Sequence, residues 1–586
     1  MNLPALTDSL IRDTLDVSLP HFRPELALCV TIVSLLLARV IPLLDRIPPF
    51  AIALLGALAA LAAAVPDGGM NAAAWGAIER QELFTGMLVY DAMTVYMRLF
   101  LTAFAVLFVV LSRLTGIADR DDGQDYFVLV FGATLGMCVM ASANHLLTLF
   151  LGVEMASVPS YVLAGIIKGR QRSSEAALKY AVYGAGTAGI MLYGASLLGG
   201  VLGSAHFPTL AGRLIEFDLP AKLDAGDWSI TVLALGGLML GVGLAFKLSA
   251  VPFHFWCPDV FEGSAAEVGA FLSVASKAAA LALLVRVGVG LGYAPDEASR
   301  AAQQQAAPVV GAPGGQSASG GAVVRLAALQ QAAPDAADEG GEGSAESATA
   351  APEAPLSPVR RFFVTLVALV AIVTCTFGNL AAYGQKNIKR MLAYSTIAHA
   401  GFMMMPVAAA VSLCGHDVPA AKEAVAAMLF YATIYLFMNL GAFAIIAFLR
   451  NSMRSEEIKD YAGLIGRSPL AAVLLTLILV SLIGLPPLAG FWPKLRVLQS
   501  LYEAGGPLLM SVMVAAAMNT AISLVYYLRV AKTMCIDPQP DTSLPVDFGF
   551  MAAIYVLLVA APVVAYGLLP NLVAPWAQQA TAGLFG

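Results

Sequence analysis

Four lysines and one glutamate lie in or against long apolar segments of this chain. They are Lys179, Lys247, Lys277, Lys494 and Glu154. Only 12% of the residues are charged, and most of the others cluster between the apolar segments. A lysine inside a membrane segment costs at least ~2.5–3.5 kcal/mol on insertion scales, so a chain that carries several is expected to use their charge. Ionisable groups spaced through a membrane predict a path for protons or other ions.

Glu154 and Lys179 carry opposite charges on neighbouring apolar segments. Glu154, in LLTLFLGVEMASVPSYVLAG, is surrounded by uncharged residues. Its functional interpretation is a carboxylate that pairs with a lysine of a neighbouring helix and tunes its affinity for a proton. The alternative is a purely structural ion pair. For Lys179, an i,i+4 pair with Glu175 or extension of the side chain to the membrane interface competes with a role in proton transfer.

Lys247 and Lys277 are poorly placed to reach the interface. Lys247 lies in GLMLGVGLAFKLSAVPFHFW, shortly before Pro252. Lys277 lies in VGAFLSVASKAAALALLVRVGVG, where small neighbours leave room for water beside an amine. We therefore expect both lysines to function in proton transfer. Arg286, closer to the far end of the segment that holds Lys277, is expected to extend to the interface instead.

His399 and Lys494 extend the series into the second half of the chain. His399 lies in KRMLAYSTIAHAGFMMM, three turns into its apolar segment, and an imidazole that titrates near ~6.5 suits a relay between lysine sites. The alternative is a hydrogen-bonded core histidine. Lys494 follows GLPPLAGFW and resembles Lys247 in lying beside prolines, although a position at the interface stays open for it.

The composition is that of a polytopic membrane protein. Of 586 residues, 59% are hydrophobic, and the mean hydropathy is +0.78. The net charge of -6 gives no electrostatic footprint for nucleic acid. The six cysteines are scattered without CxxC or Cys/His spacing, which argues against an iron–sulfur or zinc site in this chain.

Runs of about 20 apolar residues predict an all-α fold of about 14 transmembrane helices. The candidate segments are 24–42, 48–66, 90–112, 126–142, 144–167, 175–203, 229–251, 265–292, 360–383, 390–413, 424–449, 469–495, 506–533 and 548–570. The loops after odd-numbered segments are rich in Lys and Arg, except the loop after the seventh. Because basic loops stay on the cytoplasmic side, both termini are expected to be non-cytoplasmic.

Residues 293–358 are predicted to be an insert outside the membrane. The stretch is acidic and rich in Ala, Gly and Pro, as in DAADEGGEGSAESATAAPEAP, a composition that cannot bury a core and indicates disorder. The predicted orientation places it on the non-cytoplasmic side. Because long surface loops cost little free energy, we interpret it as a tolerated loop insertion.

An internal repeat divides the membrane part. Segments four to eight resemble segments nine to thirteen, and each set has a helix broken near proline, in FKLSAVPFHFW and IGLPPLAGFWPK. Since five is an odd number, the second set must be inverted, as in many ion-coupled transporters. The predicted organisation is an N-terminal region over 1–125, a first repeat over 126–292, the insert over 293–358, an inverted repeat over 359–533, and a C-terminal helix within 534–586.

Three long motifs carry a specific resemblance. GVGLAFKLSAVPFHFWCPDVFEGSAAEVGAFLSVASKAAALALLVRV, GNLAAYGQKNIKRMLAYSTIAHAGFM and GLPPLAGFWPK resemble the subunit N family of bacterial NADH–quinone oxidoreductase, respiratory complex I. That family belongs with the antiporter-like subunits, whose fold has 14 helices and two inverted five-helix repeats. The match covers nearly the whole chain except residues 293–358. The insert departs from the family pattern but leaves the motifs on both sides intact.

The resemblance implies a role for each candidate site residue. It makes Glu154 and Lys179 the glutamate–lysine pair of the first half-channel. It makes Lys247 the lysine of the broken seventh helix and Lys277 the central lysine of the eighth. His399 becomes part of the hydrophilic axis. Lys494 becomes the lysine of the broken twelfth helix.

The leading functional prediction is a proton-translocating membrane subunit of complex I in the bacterial inner membrane. No cofactor or quinone site is expected in this chain. FMN, iron–sulfur clusters and quinone are expected in partner subunits, and other antiporter-like and small membrane subunits are expected as neighbours. One alternative is a subunit of a multi-subunit cation/proton antiporter. Another is a structural scaffold whose charges only pair helices.

Overall fold

The computed structural model describes residues 3–41, 47–69, 71, 75–119, 122–295, 354–539, 546 and 548–585. The described chain is almost entirely helical, as the sequence predicted. The exception is a hairpin of β1 (Gln81–Leu83) and β2 (Leu88–Tyr90), which pair antiparallel with Glu82 opposite Val89. Apolar periodicity did not indicate this hairpin because its strands have three residues each.

The first half of the chain contains thirteen α-helices in its described part. They are α1 (Leu3–Arg12), α2 (Leu19–His21), α3 (Arg23–Val40), α4 (Pro49–Ala64), α5 (Ala92–Thr115), α6 (Gly123–Ala141), α7 (Leu146–Ala164), α8 (Gln171–Leu202), α9 (Phe207–Glu216), α10 (Leu219–Asp224), α11 (Trp228–Leu248), α12 (Trp256–Gly263) and α13 (Ala266–Gly292). A π-helical turn covers Asp13–Ser18, and a 3-10 turn covers Ile117–Asp119.

The second half continues after residues 296–353, which lie outside the described residues together with most of the predicted insert. Its helices are α14 (Ser357–Ala382), α15 (Ile388–Leu413), α16 (Val418–Met453), α17 (Leu464–Arg467), α18 (Pro469–Ile483), α19 (Phe491–Ala504), α20 (Gly506–Cys535), α21 (Phe550–Leu568) and α22 (Ala574–Gln579). The 3-10 turns are Ile458–Tyr461 and Pro570–Leu572. Helix α14 begins at Ser357, so the predicted insert extended two residues too far. Pro358 lies in the first turn, where its missing N–H costs nothing.

The protein is a multi-pass integral membrane protein. Eleven helices of the described chain are long and apolar enough to cross a membrane, and α4 and α18 are shorter apolar helices. Each of the fourteen predicted segments overlaps a described helix or a pair of helices on either side of a break. The number of fourteen crossings itself stays a prediction.

Both predicted helix breaks are confirmed. Helix α11 ends at Leu248, and Ser249 takes the left-handed conformation with φ 57° before α12 begins at Trp256. Helix α18 ends at Ile483, and Gly484 takes φ 88° before α19 begins. Each connection contains proline, which lacks the N–H needed to continue a helix. Each break therefore interrupts the backbone ladder within an apolar region.

Helices α13, α15 and α16 form the centre of the bundle. Nearly all residues of α13 are buried, and it packs against α5, α6, α11, α15 and α16. A helix that is apolar on all sides is buried, either among other helices or in the membrane, and α13 is enclosed by other helices. Its abundant alanine and glycine allow that close approach. Lys277 and His399 are carried by these central helices, away from the lipid-facing surface.

Candidate functional site

Three of the predicted lysines are deeply buried. The relative exposure is 2% for Lys247, 1% for Lys277 and 6% for Lys494. Lys494 is therefore enclosed by the protein and does not extend to its surface, while its depth in the membrane stays a prediction. Burial of a cation is tolerated only where polar groups compensate the lost hydration, so the partners of each amine decide what it can do.

Lys247 lies in the last turn of α11 and reaches across to α7. Its Nζ donates a hydrogen bond to Ser157 Oγ at 3.0 Å, and this hydroxyl donates to the Val153 carbonyl at 2.6 Å. Glu154, one turn before Ser157 on α7, is half-buried and is the carboxylate whose charge acts on Lys247. The first broken helix thus holds an ammonium between a hydroxyl and the field of a carboxylate.

Lys179 does not pair directly with Glu154. Its Nζ lies 2.8 Å from Asp259 Oδ2 on α12 and 2.8 Å from Glu175 Oε1, and its side chain is 36% exposed. Glu154 has no ion pair within the described part of the chain. The direct glutamate–lysine contact implied by the resemblance is therefore not formed. Lys179 pairs with Glu175 because that carboxylate lies one helical turn away, as the i,i+4 alternative predicted.

Asp259 connects the two halves of the chain. Besides Lys179 it accepts a hydrogen bond from Arg390 Nη1 of α15 at 2.7 Å, and the same guanidinium lies 2.8 Å from Glu262 Oε2. Arg390 belongs to the second predicted repeat, whereas Lys179 belongs to the first. The charge of Lys179 is therefore linked to the second half through one shared carboxylate.

Lys277 lies near the middle of α13, and its Nζ has no hydrogen-bond partner among the described residues. One turn earlier, Ser273 Oγ accepts a hydrogen bond from Asn439 Nδ2 of α16 at 2.5 Å. Ser276 precedes the lysine, and alanines follow it. Small neighbours are what the sequence predicted around this amine.

His399 of α15 is bonded at both ring nitrogens. Its Nδ1 lies 2.9 Å from Tyr431 Oη and its Nε2 lies 3.2 Å from Tyr527 Oη, which also hydrogen-bonds Ser395. The charges of Lys277 and Lys494 both act on the ring. These contacts fit a histidine that relays protons between the two lysines. They fit equally well a histidine that is only hydrogen-bonded in the core. The relay role therefore stays a prediction.

Lys494 binds the end of the helix that precedes the second break. Its Nζ donates to the Ile483 carbonyl at 2.8 Å and lies 4.6 Å from the centre of the Phe402 ring. A Cβ at Gly484 would lie 2.8 Å from Lys494 Cδ, so only glycine leaves room for the side chain there. The broken helix thus offers a free carbonyl to a cation at this break.

Arg286 does not extend to the interface, so that expectation was wrong. It is 5% exposed and forms a two-point ion pair with fully buried Asp91, at 2.5 Å and 2.6 Å, while its Nη2 also donates to Thr94 Oγ1. Asp91 also accepts from the Thr94 N–H and so caps α5. The signal in the sequence was an aspartate directly before a long apolar run, a typical N-cap position.

Two further buried ion pairs were missed. Arg98 Nε lies 2.6 Å from Glu25 Oε1, with both side chains almost fully buried, and Lys389 Nζ lies 3.0 Å from Glu456 Oε1. Arg98 stands inside the predicted segment 90–112 and could have been recognised from that position. Among the described residues, no group of three or more His, Cys, Asp or Glu side chains could hold a metal ion.

The inverted arrangement of broken helices with buried lysines defines a class of ion-translocating membrane subunits. The family described as NADH:quinone oxidoreductase/Mrp antiporter, transmembrane, matches residues 143–299 and 353–520. The chain belongs to this family. The matched region includes all six candidate site residues.

Curated relatives are similar over most of their length. NADH-quinone oxidoreductase subunit N of Anaeromyxobacter sp. (strain Fw109-5) is 34% identical, over 88% of this chain and 87% of the relative. Subunit N of Desulfitobacterium hafniense is 33% identical, over 93% and 94%. Subunit N 2 of Sorangium cellulosum is 35% identical, over 90% and 91%.

Solved structures share the fold. A chain of respiratory complex I from Thermus thermophilus is 29% identical, with a TM-score of 0.64 over 94% of this chain and 98% of that chain. A chain of the Mrp complex from Dietzia sp. DQ12-45-1b has a TM-score of 0.69 over 96% and 97%, at 17% identity. The second likeness concerns the fold alone.

Proposed function

We propose that this chain is a proton-translocating membrane subunit of an NADH–quinone oxidoreductase, respiratory complex I. The observation that carries the proposal is the burial of Lys247, Lys277 and Lys494 inside a member of this family, with His399 between the last two. Its curated relatives are subunits N of that enzyme at 33–35% identity over most of both chains. A scaffold would gain nothing from an ammonium such as Lys277, which no described residue hydrogen-bonds.

Six residues form the proposed proton path: Glu154, Lys179, Lys247, Lys277, His399 and Lys494. In this assignment Glu154 acts on Lys247, because its charge reaches that amine in the structure. Lys179 responds instead to Asp259. Moving a proton against the membrane potential costs about 2.3 kcal/mol per 100 mV. Making or breaking two or three hydrogen bonds around a buried amine, at about 0.5–1.5 kcal/mol each, is on that scale.

The remaining parts of the proposal follow from the same assignment. FMN, iron–sulfur clusters and quinone would be bound by partner subunits, and the neighbours would be antiporter-like and small membrane subunits. The chain would lie in the bacterial inner membrane with both termini non-cytoplasmic, in line with the distribution of Lys and Arg between its loops. Two inverted repeats, over 126–292 and 359–533, would each supply one half of the path.

The test is proton pumping by the assembled complex in sealed vesicles. Lys247→Ala and Lys277→Ala should each lower NADH-driven pumping by about 10²-fold, the lower end of the contribution of a positioned proton-transfer group. Lys532→Ala is the matched control, because that side chain is 64% exposed and pairs with Asp537 at the end of α20. Normal pumping by both buried-lysine variants, with normal assembly, would contradict the proposal.

A subunit of a multi-subunit cation/proton antiporter is the alternative, favoured by the shared fold of the Mrp complex. The two functions predict different partner subunits for this chain. Purification through a tag on this chain should recover flavin and iron–sulfur subunits if the proposal is correct. Recovery of membrane subunits alone, with cation-driven proton exchange, would favour the antiporter.

A further inference from the structure

Glu267 is a buried carboxylate that the proposed path does not use. It lies in the first turn of α13, is fully buried, and neither carboxylate oxygen has a hydrogen-bond partner among the described residues. Its ion pair in the described chain is a loose one, with Arg450 Nη2 of α16 at 3.8 Å. A carboxyl group in such a place has unfilled hydrogen-bonding capacity, which buried water can satisfy.

The neighbouring charges do not neutralise Glu267. Lys389 of α15 acts on it electrostatically but is paired with Glu456 at 3.0 Å and donates to the Ser264 carbonyl at 2.7 Å. Tyr126 of α6 is the other titratable neighbour, and its hydroxyl is bonded to Ser112 at 2.8 Å. Arg450 is partly exposed. The carboxylate therefore lies between the protein interior and a polar end of the bundle.

Further buried polar atoms with unfilled hydrogen bonds lie on and beside α13 between Glu267 and Lys277. Lys277 is ten residues further along the same helix, a rise of about 15 Å. Between them, Ser273 accepts a hydrogen bond from Asn439, whose Oδ1 has no partner among the described residues. Glu267 and Lys277 of α13 and Asn439 of α16 thus present buried polar atoms with spare hydrogen-bonding capacity. Polar sites of this kind are where buried water binds.

We propose that Glu267 loads protons onto Lys277, through water bridged by Ser273 and Asn439. The carboxyl O–H bond breaks and an N–H bond forms on the neutral amine, which leaves a carboxylate and an ammonium. The carboxylate then takes up a proton from the end of the bundle beside Arg450. The inference rests on the proposed function, because it requires that Lys277 carry protons.

The test compares Glu267→Gln, Arg450→Met and the double variant in the assembled, vesicle-reconstituted complex. Glutamine keeps the shape of the side chain but cannot release a proton. Pumping should fall by about tenfold or more in Glu267→Gln, given the contribution of a positioned acid–base group. Arg450→Met should keep more pumping than Glu267→Gln, because the carboxyl group that releases the proton remains, and the double variant should be as low as Glu267→Gln. The infrared difference spectrum of turnover should lose a protonated-carboxyl band only in the variants at Glu267.

A merely structural ion pair gives the opposite pattern. In that case Glu267→Gln and Arg450→Met would be equally impaired. The double variant would regain activity, because no unpaired charge remains. This pattern of results would overturn the proposal. Normal pumping by Glu267→Gln overturns it as well. If Glu267→Gln fails to assemble, the double variant is measured instead. Low pumping by the assembled double variant supports the proposal, and normal pumping overturns it. Lys277→Ala, measured in parallel, distinguishes failure of the Glu267 proposal from failure of the proposed function. If Lys277→Ala pumps normally, the proposed function itself fails.

Discussion

The first break places its lysine before the interruption, and the second break places its lysine after it. Lys247 ends α11 and bonds a side-chain hydroxyl, Ser157 Oγ, on another helix. Lys494 begins α19 and bonds the backbone carbonyl of Ile483, at the end of the preceding helix. An inverted repeat keeps the order of its residues along the chain, so the inversion itself does not account for this difference. One amine thus depends on side chains and the other on a fixed helix dipole.

The carbonyls at the two breaks also differ in whether lysine is their hydrogen-bond donor. At the first break, the Phe246 carbonyl accepts from the Ser249 N–H at 2.9 Å and from Trp256 Nε1 at 3.1 Å, without help from lysine. At the second break, the described donor to the Ile483 carbonyl is Lys494 itself. Lys247 can therefore change its charge without disturbing the break. A change at Lys494 acts on the backbone as well.

The largest expected effect is a difference in stability between Lys494→Met and Lys247→Met. Both variants lose the cost of burying an amine, so this term cancels in the comparison. Lys494→Met additionally leaves the buried Ile483 carbonyl without its donor, which costs about 1–3 kcal/mol. Ser157 keeps its bond to the Val153 carbonyl in Lys247→Met. Lys494→Met should therefore unfold at the lower temperature.

The measurement is alkylation of the buried Cys375 thiol during a thermal ramp of the purified complex, with this chain identified by mass spectrometry. Lys532→Met, at an exposed lysine, is the control for the substitution. Equal midpoints for the two buried-lysine variants would show that the Ile483 carbonyl finds another donor. The second break would then depend on its lysine no more than the first break does.

Local features of the sequence predicted the helices, their breaks and the buried amines. An apolar run specifies a membrane helix, and a lysine such as Lys277 is conspicuous in that setting. Proline permits a break without requiring one, because α7, α15 and α21 continue through Pro159, Pro406 and Pro562. The partners of these amines could not be predicted in the same way. Lys247 meets Ser157 from 90 residues away, and Arg286 meets Asp91 from 195 residues away. Such contacts depend on how whole helices pack.

The corrections have one physical origin. Arg286 was expected at the interface because it lies toward one end of its segment, yet α5 supplies a carboxylate at that depth. Lys179 was expected to meet Glu154, yet α12 brings Asp259 to it. Distance along a segment estimates depth in the membrane, but it does not show which helix covers that depth. Charge partners across helices therefore need the three-dimensional arrangement.

A smaller effect is expected at the first break from Trp256→Phe. The indole N–H bond to the Phe246 carbonyl is lost, but the Ser249 N–H still serves that carbonyl, so the cost should be about 0.5–1.5 kcal/mol. Phenylalanine can keep the stacking of ring 256 on Tyr180, whose centroids are 4.1 Å apart. Thermal alkylation of the complex should show a smaller loss than in Lys494→Met, with pumping retained. A loss as large as that of Lys494→Met would mean that both breaks depend equally on one donor.

An effect of similar size is expected from Phe402→Leu, at the ring whose centre lies 4.6 Å from Lys494 Nζ. No described aromatic ring lies over Lys247, so this contact belongs to the second break. Loss of the aromatic face should cost about 0.5–2 kcal/mol beyond the loss of ring volume. Phe131→Leu controls for volume, because that ring is fully buried in α6 and no described cation lies over it. Thermal alkylation of the two variants gives the difference directly. If Phe402→Leu is no less stable than Phe131→Leu, Lys494 is held by the Ile483 carbonyl alone, and the second break relies on its backbone dipole more fully than the present contacts indicate.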